Sequence, residues 1–292
     1  MVGSDIRPAL LKDQMNTTEG HVSTNTTMDA IMDLSQISSV SLTVGIINLI
    51  LGLPTNCYAL WVIANRAEGT MASEVFTLNM VISQILTCVS SMGRILLVYV
   101  KSAVLFYILV FLYPIVYVAS PMFQCCTCLE CYLAVVHPVV FLRYKPLRYR
   151  LACCGLVWML VLVMSVFCGF NTSEEMFYFV NLGLDLLLMS VQLFCCLSVL
   201  RALKRPGPGE GQREGGSDIK RRAFKIILLI LVTMLVIYLP FIVTVCLMNV
   251  LSRELFYFAI YISLSLSTVG GFVHPSLYLH RSGKLPCLNM AP

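Results

Sequence analysis

Residues 151–170 read LACCGLVWMLVLVMSVFCGF, a run of 20 residues without a charged side chain. A helix rises about 1.5 Å per residue, so about 20 residues cross the roughly 30 Å hydrocarbon layer of a bilayer. The whole chain agrees with this stretch, because 58% of its 292 residues are hydrophobic and only 12% are charged. A soluble domain has about 25% charged residues. The sequence therefore predicts that lipid surrounds the protein.

Six further stretches have a similar length and apolar character. The seven predicted spans are residues 38–64, 73–100, 103–136, 151–170, 177–203, 223–249 and 255–279. Only the polar cluster of Arg94, Lys101 and Ser102 separates the second span from the third. Apolar side chains surround each stretch, so lipid and the interior of a bundle can both accept its faces. The predicted fold class is an all-α membrane protein, a bundle of seven transmembrane helices.

The distribution of basic residues predicts the orientation. Of the 20 Lys and Arg residues, fifteen lie in or beside the first, third and fifth connections between spans, or in the tail. The remaining five are Arg7, Lys12, Arg94, Lys101 and Arg253. Because cytoplasmic loops are rich in Lys and Arg, we expect the N-terminus outside and the C-terminus inside. Basic residues that flank spans argue against nucleic-acid binding.

The predicted spans divide the chain into three parts. Residues 1–37 have the polar composition of a disordered extracellular arm, without a cleavable signal, so the first span is expected to direct its own insertion. Residues 38–279 form the transmembrane domain, and residues 280–292 form a short cytoplasmic tail. Glycosylation sequons at Asn16, Asn25 and Asn171 all fall on the predicted outer side. Cys287 in the tail is a candidate for palmitoylation.

The 13 cysteines favour neither a disulfide framework nor a metal site. Most lie within spans, none lies in an outer loop, and Cys125, Cys126 and Cys128 lack companion ligands at metal-binding spacing. They are interpreted as packing residues. No paired acids or nucleophile–base spacing stands out, so we predict neither an enzyme nor a cofactor.

Five motifs in five different spans carry a family resemblance. They are Gly52-Leu53-Pro54-Thr55-Asn56; Glu130-Cys131-Tyr132 with His137-Pro138; Trp158; Tyr238-Leu239-Pro240; and His274-Pro275-Ser276-Leu277-Tyr278. In this order, over most of residues 45–280, they resemble the motifs of the rhodopsin-like G-protein-coupled receptors. The His-Pro element is similar to the nucleotide, protease-activated and lysolipid receptor branch. The resemblance implies a multi-pass receptor of the plasma membrane that passes an extracellular ligand's signal to a heterotrimeric G protein.

Three of these motif residues have a physical meaning of their own. Pro240 and Pro275 remove backbone donors inside spans, so they predict bends about which the helices can pivot. Asn56 is costly on an apolar helix unless it bonds to a neighbour, so we interpret it as a link between helices.

Departures from the family pattern lie at the motifs for activation. Cys131 stands where the family has an arginine, and a thiol is a weak donor without charge. Glu130 then needs another partner, for which the candidates are Arg143, Lys145, Arg221, Arg222 or water. Gln84 replaces the family's sodium-binding aspartate, so we predict no sodium site. His274 and Tyr238 replace an asparagine and a tryptophan. These departures predict atypical, weak or absent coupling.

Ionisable residues inside spans are candidates for ligand binding. Arg94 and Asp185 are such residues, with Lys101 nearby, and the tyrosines expected around them are Tyr113, Tyr117, Tyr238 and Tyr261. A basic group beneath an aromatic rim suits an anionic ligand, such as a carboxylate, a phosphate or a lysolipid. Alternatively, Arg94 extends to the headgroups or pairs with Asp185 for structural reasons, and the tyrosines form the interfacial belt.

Other functions remain as alternatives. In the resembled family, retinal proteins need a lysine in the last span, and residues 255–279 contain none. Its amine receptors need an acid in the third span, and residues 103–129 contain none. A non-signalling decoy or orphan binder with a receptor fold is the main alternative, because of Cys131. A transporter is less favoured, because inverted repeats around charges at the membrane midplane are not evident.

Overall fold

The computed structural model describes residues 42–65, 74–100, 102–144, 146–170, 174–204, 231–232, 234–271 and 273–281. Over these residues the chain is almost entirely helical and contains no strand, which confirms the all-α class. The predicted arm at 1–37, the sequons at Asn16, Asn25 and Asn171, Lys101, and Cys287 lie outside the described residues.

Most of the described helices overlap the predicted spans. They are α1 Leu42–Ala64, α2 Val75–Val100, α3 Ala103–Val136, α4 Pro138–Tyr144, α5 Leu147–Phe170, α6 Glu174–Lys204, α7 Met234–Cys246, α8 Arg253–Gly270 and α9 Val273–Arg281. Among the described residues, five helices (α1, α2, α3, α5 and α6) are long and apolar enough to cross a membrane. The described part of α7 is shorter. The predicted seventh span is divided into α8 and α9 by a turn at Gly271.

Two spans contain a π-helical turn, and each turn ends two residues before a proline. The turn Asn48–Gly52 in α1 precedes Pro54, and the turn Ile115–Ala119 in α3 precedes Pro121. Proline lacks an N–H and its ring presses on the carbonyl of the preceding turn, so a wider turn relieves the clash. The third span is therefore irregular where the sequence places its prolines.

The connection between the third and fourth predicted spans differs from the predicted loop. Residues 138–144 form the short helix α4, and α5 begins at Leu147, four residues before the predicted start of the fourth span. Pro138 suits the first turn of a helix, because its fixed φ is helical and no donor is lost there. As a result Arg150 lies on a helix that packs into the bundle, where it is buried, and not in a loop.

The core lies around α3, which packs against α2, α5 and α6. Phe123 of α3 and Val161 of α5 are fully buried in the cluster that joins α2, α3 and α5. Trp158 donates a hydrogen bond from Nε1 to Asn79 Oδ1 at 2.9 Å, which links α5 to α2. Outward faces carry exposed apolar side chains, among them Val104 and Leu156. Water would oppose that much exposed apolar surface, whereas lipid accepts it.

Candidate functional site

A cavity bounded by α3, α6, α7 and α8 is lined by Asp185 of α6. Its lining residues are Tyr113, Tyr117, Asn181, Asp185, Ile237, Tyr238, Phe241, Ser263, Leu264 and Ser267. We call it the Asp185 cavity. It brings together four of the six predicted ligand residues, namely Tyr113, Tyr117, Asp185 and Tyr238. The ring centroids of Tyr113 and Tyr117 are 4.5 Å apart, because the two residues are four positions apart on one helix and share a face.

The other two predicted ligand residues lie elsewhere. Arg94 donates hydrogen bonds to Ser91 Oγ at 2.8 Å and to Ser90 Oγ at 3.4 Å, both on its own helix. It is not among the described residues that line the Asp185 cavity. Tyr261 does not line it either, and 38% of its surface is exposed. The expected Arg94–Asp185 pair is therefore not among the described contacts.

A second cavity adjoins the first, and its walls mix polar and apolar side chains but carry no carboxylate among the described residues. It is lined by Gln84, Thr87, Val116, Tyr117, Ser120, Pro121, Gln124, Ile237, Tyr238, Ser267, Thr268, Gly270 and Gly271. We call it the glutamine cavity. Gln84 Nε2 donates to Ser120 Oγ at 2.6 Å, and Tyr238 donates from its hydroxyl to Gln124 Oε1 at 3.2 Å. Tyr238 lines both cavities, so a change in its position affects both.

Gly271 allows the last helices to approach α2 closely at the glutamine cavity. A Cβ at Gly271 would overlap Gln84 Oε1. Any larger residue would therefore have to displace a buried carboxamide. The sequence gives no signal of this contact, because the two residues are far apart along the chain.

The C-terminal end of α3 is held by an ion pair. Arg150 of α5 bonds to Glu130 Oε1, and the two side chains are only 7% and 21% exposed. The candidate partners predicted for Glu130 did not include Arg150, since we expected that residue in a loop. The neighbouring Cys131 is exposed.

Two tyrosines of the activation motifs also make contacts near helix ends. The Tyr132 hydroxyl lies 3.1 Å from His137 Nε2, and its ring packs against Phe194 of α6. Tyr278 donates to Glu74 Oε2 at 2.5 Å and so joins α9 to the residue that precedes α2. These bonds tie the last helix and the end of α3 to their neighbours.

The remaining motif residues show what the sequence missed. Asn56 donates from Nδ2 to the Gly52 carbonyl of its own helix at 2.8 Å, so its bond is not the expected link between helices. Asn48 makes that link instead, donating to Ser91 Oγ at 3.2 Å. The signal was available, because Asn48 is also an amide in an apolar span.

The prolines and histidine of the later motifs lie in or beside helices as predicted. The Pro240 carbonyl accepts a bond from Thr244 Oγ1 at 2.8 Å, which occupies a carbonyl in the proline-containing turn. Pro275 is buried in α9, and His274 lies in the same helix. Gln192 is a further buried amide that motif reasoning missed, and it donates to the Pro121 carbonyl at 3.1 Å.

The apolar helices, long enough to cross a membrane, and the cavities between them are typical of a helical membrane protein. The family described as 7 transmembrane receptor (rhodopsin family) matches residues 55–278. The chain belongs to this family. The match identifies the family and no branch within it, and the family is one of receptors, not of enzymes. No curated protein matches the chain.

Proposed function

We propose that this receptor resides in the plasma membrane, takes up an extracellular ligand in the Asp185 cavity, and signals to a heterotrimeric G protein with atypical coupling. Family membership supports the receptor role in general. Tyr238, one of four described residues that line both cavities, and the proline of α7 support a path from ligand to helix movement, because proline-bent helices can pivot.

The observation that carries atypical coupling is the ion pair at the inner end of α3. The resemblance implies an arginine after the acid, which pairs with that acid at rest and lines the transducer cleft in the active state. Here Arg150 supplies the resting partner of Glu130 from another helix. Cys131 cannot supply the second contact, because a thiol has no charge. The resting pair is therefore retained while the group that faces the transducer is missing.

The test restores the missing side chain. We expect Cys131→Arg to raise ligand-independent G-protein activation in cells, measured by dissociation of labelled G-protein subunits at matched surface expression. Leu142→Arg is the control. Leu142 is exposed on α4, so the substitution adds a charge in the connection after α3 without restoring the motif. Strong wild-type signalling that Cys131→Arg leaves unchanged would contradict the proposal.

The second candidate function is a non-signalling binder, which the exposed Cys131 also favours. Recruitment of a G protein by a bound ligand separates the receptor from the binder. A transporter is the third candidate, and substrate flux into liposomes that contain the purified chain would identify it.

The proposed topology has seven spans within residues 38–279, an outer arm at 1–37 and an inner tail at 280–292. The sequons Asn16, Asn25 and Asn171 would then be glycosylated, and Cys287 would be available to palmitoylation enzymes. Removal of glycans should increase gel mobility in steps that are lost as each Asn is changed to Gln. Terminal tags detected in the same compartment would contradict this topology.

A further inference from the structure

We propose that α4 and the start of α5 form a binding surface for anionic phospholipids. Two exposed arginines bind the headgroup phosphates, and the neighbouring apolar side chains enter the edge of the hydrocarbon layer. We call this surface the α4–α5 patch; it consists of Val139, Leu142, Arg143, Tyr144, Arg148 and Tyr149. It goes beyond the proposed function, because it requires neither a ligand in the Asp185 cavity nor a G protein.

The patch lies at the depth of the lipid headgroups. α5 has 24 residues and is therefore about 36 Å long, whereas the hydrocarbon layer is about 30 Å thick. The uncharged run begins at Leu151, and Arg148 precedes it by three residues, or about 4.5 Å. Only two residues separate the end of α4 from the start of α5. Both arginines of the patch are therefore within reach of a phosphate while the apolar part of α5 stays in lipid.

The face of α4 that carries Arg143 is apolar and exposed. Val139 and Leu142 are 80% and 65% exposed, and Arg143 shares their face because it follows Val139 by four positions. Large exposed apolar side chains mark a surface that another apolar phase covers. An interfacial helix buries such side chains at the boundary of headgroups and acyl chains, and its basic residues add attraction to anionic lipids.

Arg148 is held in a position that suits a phosphate. Its guanidinium carbon lies 4.9 Å from the ring centroid of Tyr149, and its Nη2 donates to the Tyr149 hydroxyl at 3.3 Å. The ring of Tyr149 packs in turn against Tyr144 of α4, with centroids 5.4 Å apart. A guanidinium has five N–H groups, so this bond leaves others for a phosphate oxygen. Tyrosines are also typical of the membrane–water interface.

The charge around the patch is of one sign. Residues 137–149 contain three basic residues and no acid. Glu130 of α3 is already paired with Arg150, so its charge is balanced. Under the proposed topology the patch faces the cytoplasmic leaflet, whose anionic lipids attract basic segments beside a span. A protein partner would also be attracted to such a surface, but the depth of the patch favours lipid, because headgroups surround the end of α5.

The experiment compares two lipids that differ in headgroup charge on the full chain. The purified receptor is incubated with equal amounts of phosphatidylserine and phosphatidylcholine that carry the same acyl chains. Native mass spectrometry measures the ratio in which the two lipids stay bound. We expect a preference for phosphatidylserine that decreases as salt is added. Arg143→Gln and Arg148→Gln should each lower the preference about fivefold, the contribution of one basic residue near an anionic surface.

Two further variants separate the charge of the patch from general effects. Arg253→Gln is the matched control, because Arg253 is an exposed arginine at the start of α8 whose charge is offset by the adjacent, exposed Glu254. It should leave the preference unchanged. Arg148→Lys keeps the positive charge and should retain most of the preference, since lysine also binds phosphate.

The outcomes distinguish lipid from the alternatives. An unchanged preference in both glutamine variants of the patch, or an equal loss in Arg253→Gln, would overturn the proposal. Weaker binding of a purified G protein to the glutamine variants, with the lipid preference unchanged, would overturn it in favour of a protein partner. The assay contains no receptor ligand, so a failure of the Asp185 cavity as the ligand site does not affect the result.

Discussion

Glu130 and Asp185 both place a carboxylate inside an apolar span, and they meet that cost in different ways. Glu130 lies near the C-terminal end of α3 and is paired with Arg150 from α5. Asp185 lies within α6, beside a cavity whose described lining residues carry no basic group. Both regions therefore contain an acid, but only Glu130 has a described basic residue beside it.

The difference separates a structural acid from a candidate binding acid. A buried charge with an internal partner is already satisfied, so the pair fixes the contact between two helices. A buried charge that lacks an internal partner is costly, so a ligand of opposite charge can gain binding free energy by pairing with it. The comparison yields stability predictions of opposite sign for the two acids. The variants of Arg150, Glu130 and Asp185 test it directly, and those of Gly271 and Tyr238 test the adjoining glutamine cavity.

The largest expected effect is at the paired acid. Arg150→Met should lower the free energy of unfolding by about 3 kcal/mol, because it leaves the Glu130 charge buried and unpaired. Thermal unfolding followed with a thiol-reactive dye measures this, since several cysteines are buried in the folded chain. The double variant Glu130→Gln with Arg150→Met should recover part of the loss. A full-sized loss in the double variant would show that the pair is not the cause.

The next effect tests how closely the last helices pack against α2 at the glutamine cavity. Gly271→Ala should cost about 2 kcal/mol, because its methyl group would overlap the Gln84 side chain. Gly155→Ala is the matched control, since an added Cβ there meets nothing within 4 Å, and it should raise stability by up to about 1 kcal/mol. Equal effects of the two variants on Tm would contradict close packing at Gly271.

Removal of the unpaired acid should have the opposite sign. Asp185→Asn should raise the free energy of unfolding of the ligand-free receptor by about 1.5 kcal/mol, because an uncompensated carboxylate is replaced by an amide of the same shape. Glu130→Gln under the same conditions should lower it. If Asp185→Asn were the destabilising variant, Asp185 would have an internal partner and the comparison would fail.

The smallest effect concerns the link between the two cavities. Tyr238→Phe should lower the free energy of unfolding by about 1 kcal/mol, because the Gln124 acceptor loses its donor. Tyr99→Phe, at a tyrosine that is 74% exposed, should leave Tm unchanged. Matching results for the two tyrosines would mean that the Tyr238 bond adds no net stability.

Much of the fold could be predicted from local sequence. Span positions follow from runs of apolar residues, because a bilayer requires a length that is visible in the chain itself. The irregular third span follows from Pro114 and Pro121, since proline acts on its own turn. The helix α4 and the early start of α5 were missed, because the two prolines Pro138 and Pro146 are also typical of a loop.

The candidate site was predicted in part. Residue type alone selected Asp185 and the tyrosines Tyr113, Tyr117 and Tyr238, because acids and tyrosines in apolar spans stand out. It also selected Arg94 and Tyr261, which do not line the cavity. The face of a helix that turns inward depends on its rotation about its own axis, and π-helical turns alter that rotation.

The sequence by itself determined that lipid surrounds the protein, that the fold is helical and which family motifs it carries. Each of these depends on residues close together in the chain. Only the tertiary structure decided which charges meet. The pairing of Glu130 with Arg150, the separation of Arg94 from Asp185 and the approach of Gly271 to Gln84 join residues that are distant along the chain. Such contacts depend on how helices rotate and pack against each other, and no single span contains that information.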